Sequence, residues 1–476
     1  MNTDIPKDFL GTAKSLFGSE SAEFLASLSG EPTLSIHANP GKIRKAGETF
    51  PANAQKVGWA SNGFYLASRP RFTFDPLMHA GAYYVEEPSS MFVECALSHV
   101  LKNMEINRAL DLCAAPGGKS IMLRSTMPGG LLVANEPLPK RAAVLAENLA
   151  KWGNPDVVVT SNFPEDFEGL DGFFDLISTD VPCSGEGMFR KDEAARSEWS
   201  LKNVENCVER QRGILRSIWP ALRKGGCLIY STCTFNRHED EDNVCFTAKE
   251  LGAEIIGLAT DDNWRICGDT TGRNLPVYHF FPHKARGEGF FLALLKKTAD
   301  TPHAERRNTK KAIPTPRPGE YTEWIKNSGD FRFYDTKDGI TALRKKFADD
   351  YAAISQNLNV VSAGVRVCTE KPAKSSVSAR KPQKQCIPAP ALAFSTCLAG
   401  GAFPDVSLEY ADAIKYLRGE SLALQVAAPR GWVTVSYRSL PLGFANNVGS
   451  RLNNAYPAAW RIRSTYAPAE APELAF

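Results

Sequence analysis

A chain of 476 residues is too long for one hydrophobic core, and at roughly 150 residues per domain it suggests about three units. With 43% hydrophobic and 23% charged residues it has the composition of a soluble globular protein. No run reaches the ~18 apolar residues of a membrane span, and the start, MNTDIPKDFLGTAK, lacks the basic-then-apolar order of a signal peptide. The net charge of +3 identifies no partner. Eleven cysteines with no CxxC pair, and histidines without zinc-ligand spacing, argue against a metal. They fit reduced thiols in a cytoplasmic protein, free to act as nucleophiles.

In chain order, residues 1–95 mix short helices with an aromatic stretch, WASNGFYLASRPRFTFDP (59–76). ALDLC (109–113) then reads as a buried strand, followed by the turn AAPGGKS and a helix. LLVANE (131–136) is a second strand, PKRAAVLAENLAKWG (139–153) a helix, and VVVTSN (157–162) and FFDLISTD (173–180) strands three and four. SLKNVENCVERQRGILRSIWPALRKGG (200–226) reads as one amphipathic helix ended by Gly225–Gly226, with CLIYSTC (227–233) as strand five. The alternation predicts an α/β fold, a parallel sheet covered on both faces. Ligands of such sheets sit at the carboxyl ends of the strands, where Cys113, Glu136, Asn162, Asp180 and Cys233 fall. Beyond, GWVTVSYRSLPLGF (431–444) reads as strand and turn of a small β-rich unit.

Two segments concentrate positive charge: 303–318 has five Lys/Arg against one Glu, and 366–384 six against one. Solvated linker is the plainer reading; phosphate contact is the sharper one. DLCAAPGGKS (111–120) ends like a phosphate loop, but Cys113 stands where that motif needs glycine. What remains is a Gly-rich strand-to-helix turn that lets a ligand approach the backbone. With Glu136 placed for ribose hydroxyls, a nucleoside without pyrophosphate fits, S-adenosyl-L-methionine being the commonest. TDVPCSGEGMFRKD (179–192) puts Asp180, Pro182 and Cys183 at the end of strand four, so Cys183 and Cys233 would face one cleft. The plain alternative is two buried thiols. The acidic run HEDEDN (238–243) after YSTCTF lacks the Asp/Asn alternation and Gly of a metal loop and reads as a helix start.

In order and spacing, DLCAAPGGKS, DVPCSGEG and YSTCTF resemble the RNA cytosine-5 methyltransferases of the Nop/Sun type. FTFDPLMHAGAYYVEEPSSM (72–91) and GEGFFLALLKK (287–297) resemble the same group, and PLGFANNVGSRLNNAYPAAWRIR (441–463) its RsmF branch, which modifies small-subunit ribosomal RNA. The resemblance implies a Rossmann-like S-adenosylmethionine-dependent core over 96–300, an N-terminal RNA-binding extension over 1–95, a basic Pro-rich linker over 301–318, an intermediate C-terminal domain over 319–400 and a PUA-like RNA-binding domain over 401–476. It assigns Cys233 as the nucleophile at cytosine carbon 6, Cys183 to product release, Asp180 to the cytosine edge and Lys119 to a place near the base. Cofactor contacts would come from Cys113, Ala114, Ala115, Pro116, Gly117, Gly118, Lys119, Glu136, Asn162 and Asp180. The implied partner is RNA, 16S rRNA or the small ribosomal subunit, with a monomeric enzyme and no metal or membrane. The target cytidine would leave its stack, held by aromatic and basic side chains from 59–76 and the C-terminal region, although most of those aromatics belong to a core. The chain departs from the pattern at Val181 for Ala, Glu86 for Gln, His37 for Arg, and FANN (444–447) for a Gly-Lys. Alternatives are the same chemistry on tRNA, a DNA-type enzyme with Cys183 as nucleophile, and a non-catalytic RNA-binding ribosome assembly factor.

Overall fold

The computed structural model describes residues 5–43, 54–127, 129–300, 314–317, 319–372, 384–423 and 429–474. Most of both basic segments, 303–313 and 373–383, therefore lies outside the described residues.

The apolar runs of the central segment pair into one nine-stranded sheet. Its strands are β1 (Arg108–Asp111), β2 (Leu131–Asn135), β3 (Val157–Thr160), β4 (Phe174–Asp180), β5 (Leu222–Thr232), β6 (Ala253–Ile256), β7 (Tyr278–Phe280), β8 (Phe290–Lys297) and β9 (Val360–Ala363). Their order is β7-β8-β5-β4-β1-β2-β3-β9, with β6 also pairing β8. From β5 to β3 the strands are parallel; β8 and β9 close the flanks antiparallel. The chain leaves β1 toward β2 and β3, then returns to β4 and β5 on the other side. The topological switch, where such sheets bind ligands, lies between β1 and β4. The main crossover helices are α1 (Gly118–Thr126), α2 (Pro139–Trp152) and α3 (Leu201–Ile218), and α4 (Glu241–Glu250) follows β5. Two apolar clusters cover the faces, one with Ile121, Leu145 and Met91, the other with Ile214, Leu215 and Ile354. The α/β class expected from the alternation is observed.

One expectation fails. The helix predicted over 200–226 stops at Ile218, and β5 begins at Leu222. Pro220, in a short 3-10 turn, cannot continue the helical ladder. Gly225 and Gly226 do not cap a helix; they lie where the β4–β5 register shifts, Phe174 opposing Leu222 and Leu176 opposing Cys227, with Gly225 at φ +75°.

A three-stranded sheet of Ser35–Ala38 flanked by Gly63–Tyr65 and Tyr83–Val85 precedes the nine-stranded sheet. Its core is shared with the C-terminal unit: Ile36, Phe64, Leu77 and Tyr83 join Tyr416, Leu417, Val433 and Leu442. That unit is a five-stranded sheet in which Gly431–Tyr437 and Leu440–Asn447 form a hairpin. Its turn residues, Arg438 and Ser439, both take positive φ, the backbone of a tight hairpin turn. Trp59, Phe64, Tyr65 and Phe74 are buried, so those aromatics serve the core. Between the two units lies a four-stranded sheet, Phe331–Thr336, Gly339–Arg344, Val365–Pro372 and Lys384–Pro388. Immediately before its third strand, β9 docks on the nine-stranded sheet, Val360 opposite Thr160 and Ala363 opposite Val158.

Candidate active site

At the carboxyl end of β1 the chain makes the turn from Cys113 to Gly118 and enters α1. Leu112 N–H donates to Ser178 O and Ala114 N–H to Asn135 O, holding the turn between β4 and β2. Arg141 and Asn148 of α2 donate to the Ala115 and Pro116 carbonyls at 3.0 and 2.8 Å. Gly117 sits at φ +127°, a conformation side chains rarely adopt. A Cβ on Gly118 would collide with the Glu86 carboxylate. The space beside Gly118 is thus held by Glu86. Asp111, fully buried, accepts from Ser120 at 2.6 Å through one oxygen, and its other oxygen has no partner among the described residues. Burial pushes Asp111 up to about 7, against Ser120 and Lys119. Glu136, buried one residue past β2, accepts from Leu138 N–H at 3.1 Å and faces Arg141 at 3.4 Å. An orphaned acidic oxygen, a turn of small residues ending in two glycines and a strand-end carboxylate together fit a cationic nucleoside cofactor.

Lys119 reaches from the start of α1 to Asp180 at the end of β4, Nζ to Oδ2 at 2.9 Å. Ser231 of β5 donates to the other Asp180 oxygen at 2.8 Å. The ammonium also lies 5.3 Å from the centre of the Phe290 ring. Burial alone would lower Lys119, but Asp180, Glu86 and Asp111 outweigh it and hold the ammonium above its ordinary range. Glu86 is itself raised by burial, against Lys119 and Ser90, which donates to it at 2.8 Å.

Beyond that pair lie two half-buried thiols, Cys183 and Cys233, their sulfurs 3.3 Å apart. The contact with Cys233, then burial, then the Cys233 and Glu239 charges raise Cys183 well above an ordinary thiol. The two loops are bonded to each other: Gly187 N–H donates to Cys233 O at 2.7 Å. Glu186 accepts from Phe235 N–H at 2.7 Å, and Glu239 from Ser184 N–H at 3.0 Å.

The acidic run leads into a helix, as expected: Glu239, Asp240 and Glu241 are all fully buried, and α4 begins at Glu241. Asp240 accepts from Thr232 at 2.6 Å, and burial holds it well above the carboxylate range. Glu241 goes the other way, to about 2, because His279 and Thr270 outweigh its burial.

Cys113 is 3.8 Å from Thr179 Oγ1 and is pushed up to about 12 by burial, an inert thiol. Asn162 is occupied: its Oδ1 accepts from Asn359 N–H at 2.9 Å and its Nδ2 donates to Asp166 at 3.3 Å. It also lines a cavity of about 970 Å³ between α2, β9 and residues 336–341, a space that none of the other predicted site residues reaches. His37 is fully buried against Glu94, so it is a core group. Sequence reasoning did not single out Ser231, Phe290, Glu186, Glu239 and Gln211. Ser231, Phe290, Glu186 and Glu239 lay inside quoted motifs, and Gln211 only inside a stretch read as a helix.

Residues 98–296 match the family model for 16S rRNA methyltransferase RsmB/F, residues 5–88 the N-terminal domain of 16S rRNA methyltransferase RsmF, and residues 403–462 the methyltransferase RsmF PUA domain. A ribosomal RNA small subunit methyltransferase F from Shewanella loihica is 30% identical over 438 residues, covering 89% of this chain and 88% of the relative. The chain belongs to the RsmB/F family of 16S rRNA methyltransferases. Its Vibrio cholerae relative of the same description is 27% identical over 96% of this chain and 97% of its own. Among solved structures, NSun6 from Pyrococcus horikoshii with SFG aligns with TM-score 0.50 and 20% identity over 62% of this chain and 99% of that one. A methyltransferase homologue from the same organism aligns with TM-score 0.51 and 23% identity over 61% and 95%. These two likenesses show the fold. As a member of the RsmB/F family the chain is an S-adenosylmethionine-dependent RNA methyltransferase.

Proposed function

We propose that the chain methylates carbon 5 of a cytidine in 16S rRNA, with Cys233 as covalent nucleophile and Cys183 as the group that releases the product. The observation that carries this reading is the pair of thiols 3.3 Å apart at the ends of neighbouring strands, beside the Lys119–Asp180 ion pair. The names of the relatives and the RsmF N-terminal and PUA matches support 16S rRNA as the substrate.

Carbon 5 of cytosine is a poor nucleophile. A thiolate at Cys233 adds to carbon 6, the ring electrons move toward N3, N3 takes a proton from solvent, and carbon 5 becomes the nucleophilic end of an enamine. Asp180, oriented by Lys119 and Ser231, would accept hydrogen bonds from the 4-amino group and from N3–H as that charge develops. Bound adenosylmethionine supplies an electrophilic methyl group on its sulfonium. The turn from Cys113 to Gly118, with Asp111 and Glu136, would hold it. After methylation the carbon 5 proton leaves on the Cys183 side, the bond from sulfur to carbon 6 breaks, N3 gives its proton back to solvent, and the aromatic ring and the Cys233 thiolate return together. The cytidine must be out of its stack for both faces to be reached.

The test compares Cys183→Ala and Cys233→Ala for RNA adducts that survive denaturation with adenosylmethionine present, on 16S rRNA, small subunits and tRNA. Cys183→Ala is expected to accumulate an adduct with 16S rRNA and Cys233→Ala to form none. The reversed pattern would make Cys183 the nucleophile, and adducts only with tRNA would overturn the substrate.

A further inference from the structure

The loops carrying the two cysteines are cross-braced by two buried carboxylates, and the brace is asymmetric. Glu186, on the Cys183 loop, accepts from Phe235 N–H, Asn236 Nδ2 and Trp199 Nε1 at 2.7, 3.0 and 3.0 Å. Its backbone partner stands two residues beyond Cys233. Glu239, on the Cys233 loop, accepts from Ser184 N–H, the residue directly after Cys183, at 3.0 Å. The same oxygen accepts from Gln211 Nε2 at 2.7 Å, and Gln211 also donates to Pro182 O at 2.9 Å. So Glu239 grips Cys183 from both sides along the chain.

The partners of Glu239 are all donors. Ser184 contributes a backbone N–H. Gln211 is oriented by Asn243 Nδ2 and Tyr230 Oη, which donate to its oxygen at 2.7 and 3.3 Å, so its nitrogen faces Glu239. Asn236 is oriented by Glu239 N–H, which donates to its oxygen at 3.0 Å, and its nitrogen donates back at 2.8 Å. Burial raises Glu239 above its ordinary value, against the hydrogen bonds from these donors; three donors and no acceptor among the described residues suit the ionised form, because a protonated carboxyl would need somewhere to donate. A fixed negative charge therefore sits beside one member of the thiol pair.

We infer that Glu239 decides which cysteine of the pair keeps its proton: it holds the proton on Cys183 and leaves the thiolate to Cys233. This positioning role rests on the proposed assignment of Cys233 as nucleophile. When the pair loses one proton to solvent, the charge goes to Cys233 and not to Cys183, whose two chain neighbours Glu239 braces. Once Cys233 is bonded to carbon 6 its sulfur carries no charge. The largest influence holding the Cys183 proton is then gone, and that thiol can give its proton to solvent and accept the one from carbon 5. Glu239 thus separates in time the roles of two side chains that are chemically the same. The groups facing Cys183 are Cys233 and Glu239, and around Glu239 lie Tyr230, Cys207 with Arg210, Glu186 and Asp240.

The test needs no RNA. The full-length protein and Glu239→Gln are alkylated with iodoacetamide from pH 6 to pH 10, and each cysteine is followed by peptide mass spectrometry. Access to the reagent changes the amplitude of such a profile, whereas ionisation sets its midpoint. Cys183 in the parent is expected to react only at higher pH than Cys233, and its midpoint in Glu239→Gln to fall by about 1 pH unit. Circular dichroism checks that the variant is folded. If it is not, Glu239→Asp, which keeps the charge one methylene farther away, is expected to give a smaller fall in the same direction. An unchanged Cys183 midpoint in a folded variant overturns the inference and leaves the nucleophile assignment standing. A parent protein in which Cys183 ionises before Cys233 overturns both.

Discussion

At the scale of single residues, charge is concentrated around one cation. Lys119 answers to Asp180 directly and to Glu86 and Asp111 at longer range. Lys119→Met should leave Asp180 without its orienting partner and lower the rate of a single turnover by on the order of 10²-fold or more, with RNA affinity little changed. A loss confined to affinity would make Lys119 a binding group only. Asp111 gives a pH signature. Its carboxyl is raised from 3.8 to about 7 by burial, so it favours the folded state while protonated. That contribution is complete below the unfolded value and is lost as pH rises through the folded one. Asp111→Asn cannot ionise, so its stability relative to the parent should climb between pH 4 and pH 7 by up to about 4 kcal/mol and then stay level. Urea unfolding of both proteins at pH 5, 6, 7 and 8 measures this; a constant difference would mean that Asp111 ionises at its ordinary value. That Asp180, Cys183 and Cys233 come together was legible because their motifs stand at strand ends; the place of Lys119 beside them came from the family resemblance. Glu239 was legible only as a charge before a helix, because its partners come from three separate stretches of chain.

At the scale of elements, periodicity told most where one residue type dominated. The Val157–Thr160 strand is a β-branched run, and α2 runs from Pro139 to a left-handed cap at Gly153, φ +93°. The boundary after α3 misled because a glycine pair after a helical stretch reads as a stop. Here it serves a strand irregularity set by pairing with β4. The start of α1 makes a sharper point. Glu86 packs against the Gly118 Cα, so Gly118→Ala forces the Glu86 side chain aside and should cost about 1–3 kcal/mol. Glu86→Ala should recover most of that cost, since the obstacle is a side chain. A double-mutant cycle by thermal unfolding decides it: additive effects would mean that the two residues do not compete for one space.

For the whole molecule, the separate sheets are joined at the end of α2. Asn39 of the N-terminal segment donates to Gly81 O and Trp152 O, both at 3.1 Å. Buried Lys42 donates to Ala80 O at 2.9 Å and to Lys151 O, at the carboxyl end of α2. From the far side Thr396 N–H donates to Gly153 O at 2.9 Å. Lys42→Met keeps the stem and removes these bonds, and should cost about 1–3 kcal/mol in urea unfolding; no loss would make this junction incidental. None of this was legible in the sequence, since Asn39, Lys42 and Thr396 sit in stretches with no periodicity. Nor was β9, four residues separated from the rest of their sheet by the basic segment. Cutting the chain after residue 317 should expose the β3 edge and yield protein that self-associates in sedimentation velocity; a monodisperse, stable product would show that β9 is dispensable.

Strand β9 also sets a clock on synthesis. Translation at about 5–20 residues per second leaves an interval of seconds between the emergence of β8 and that of β9. Throughout it the nascent catalytic sheet is finished at one margin and unfinished at the other. The stretch filling that interval, residues 298–359, includes the hairpin of Phe331–Thr336 and Gly339–Arg344, so the first two strands of the four-stranded sheet are made before the β3 edge can be covered.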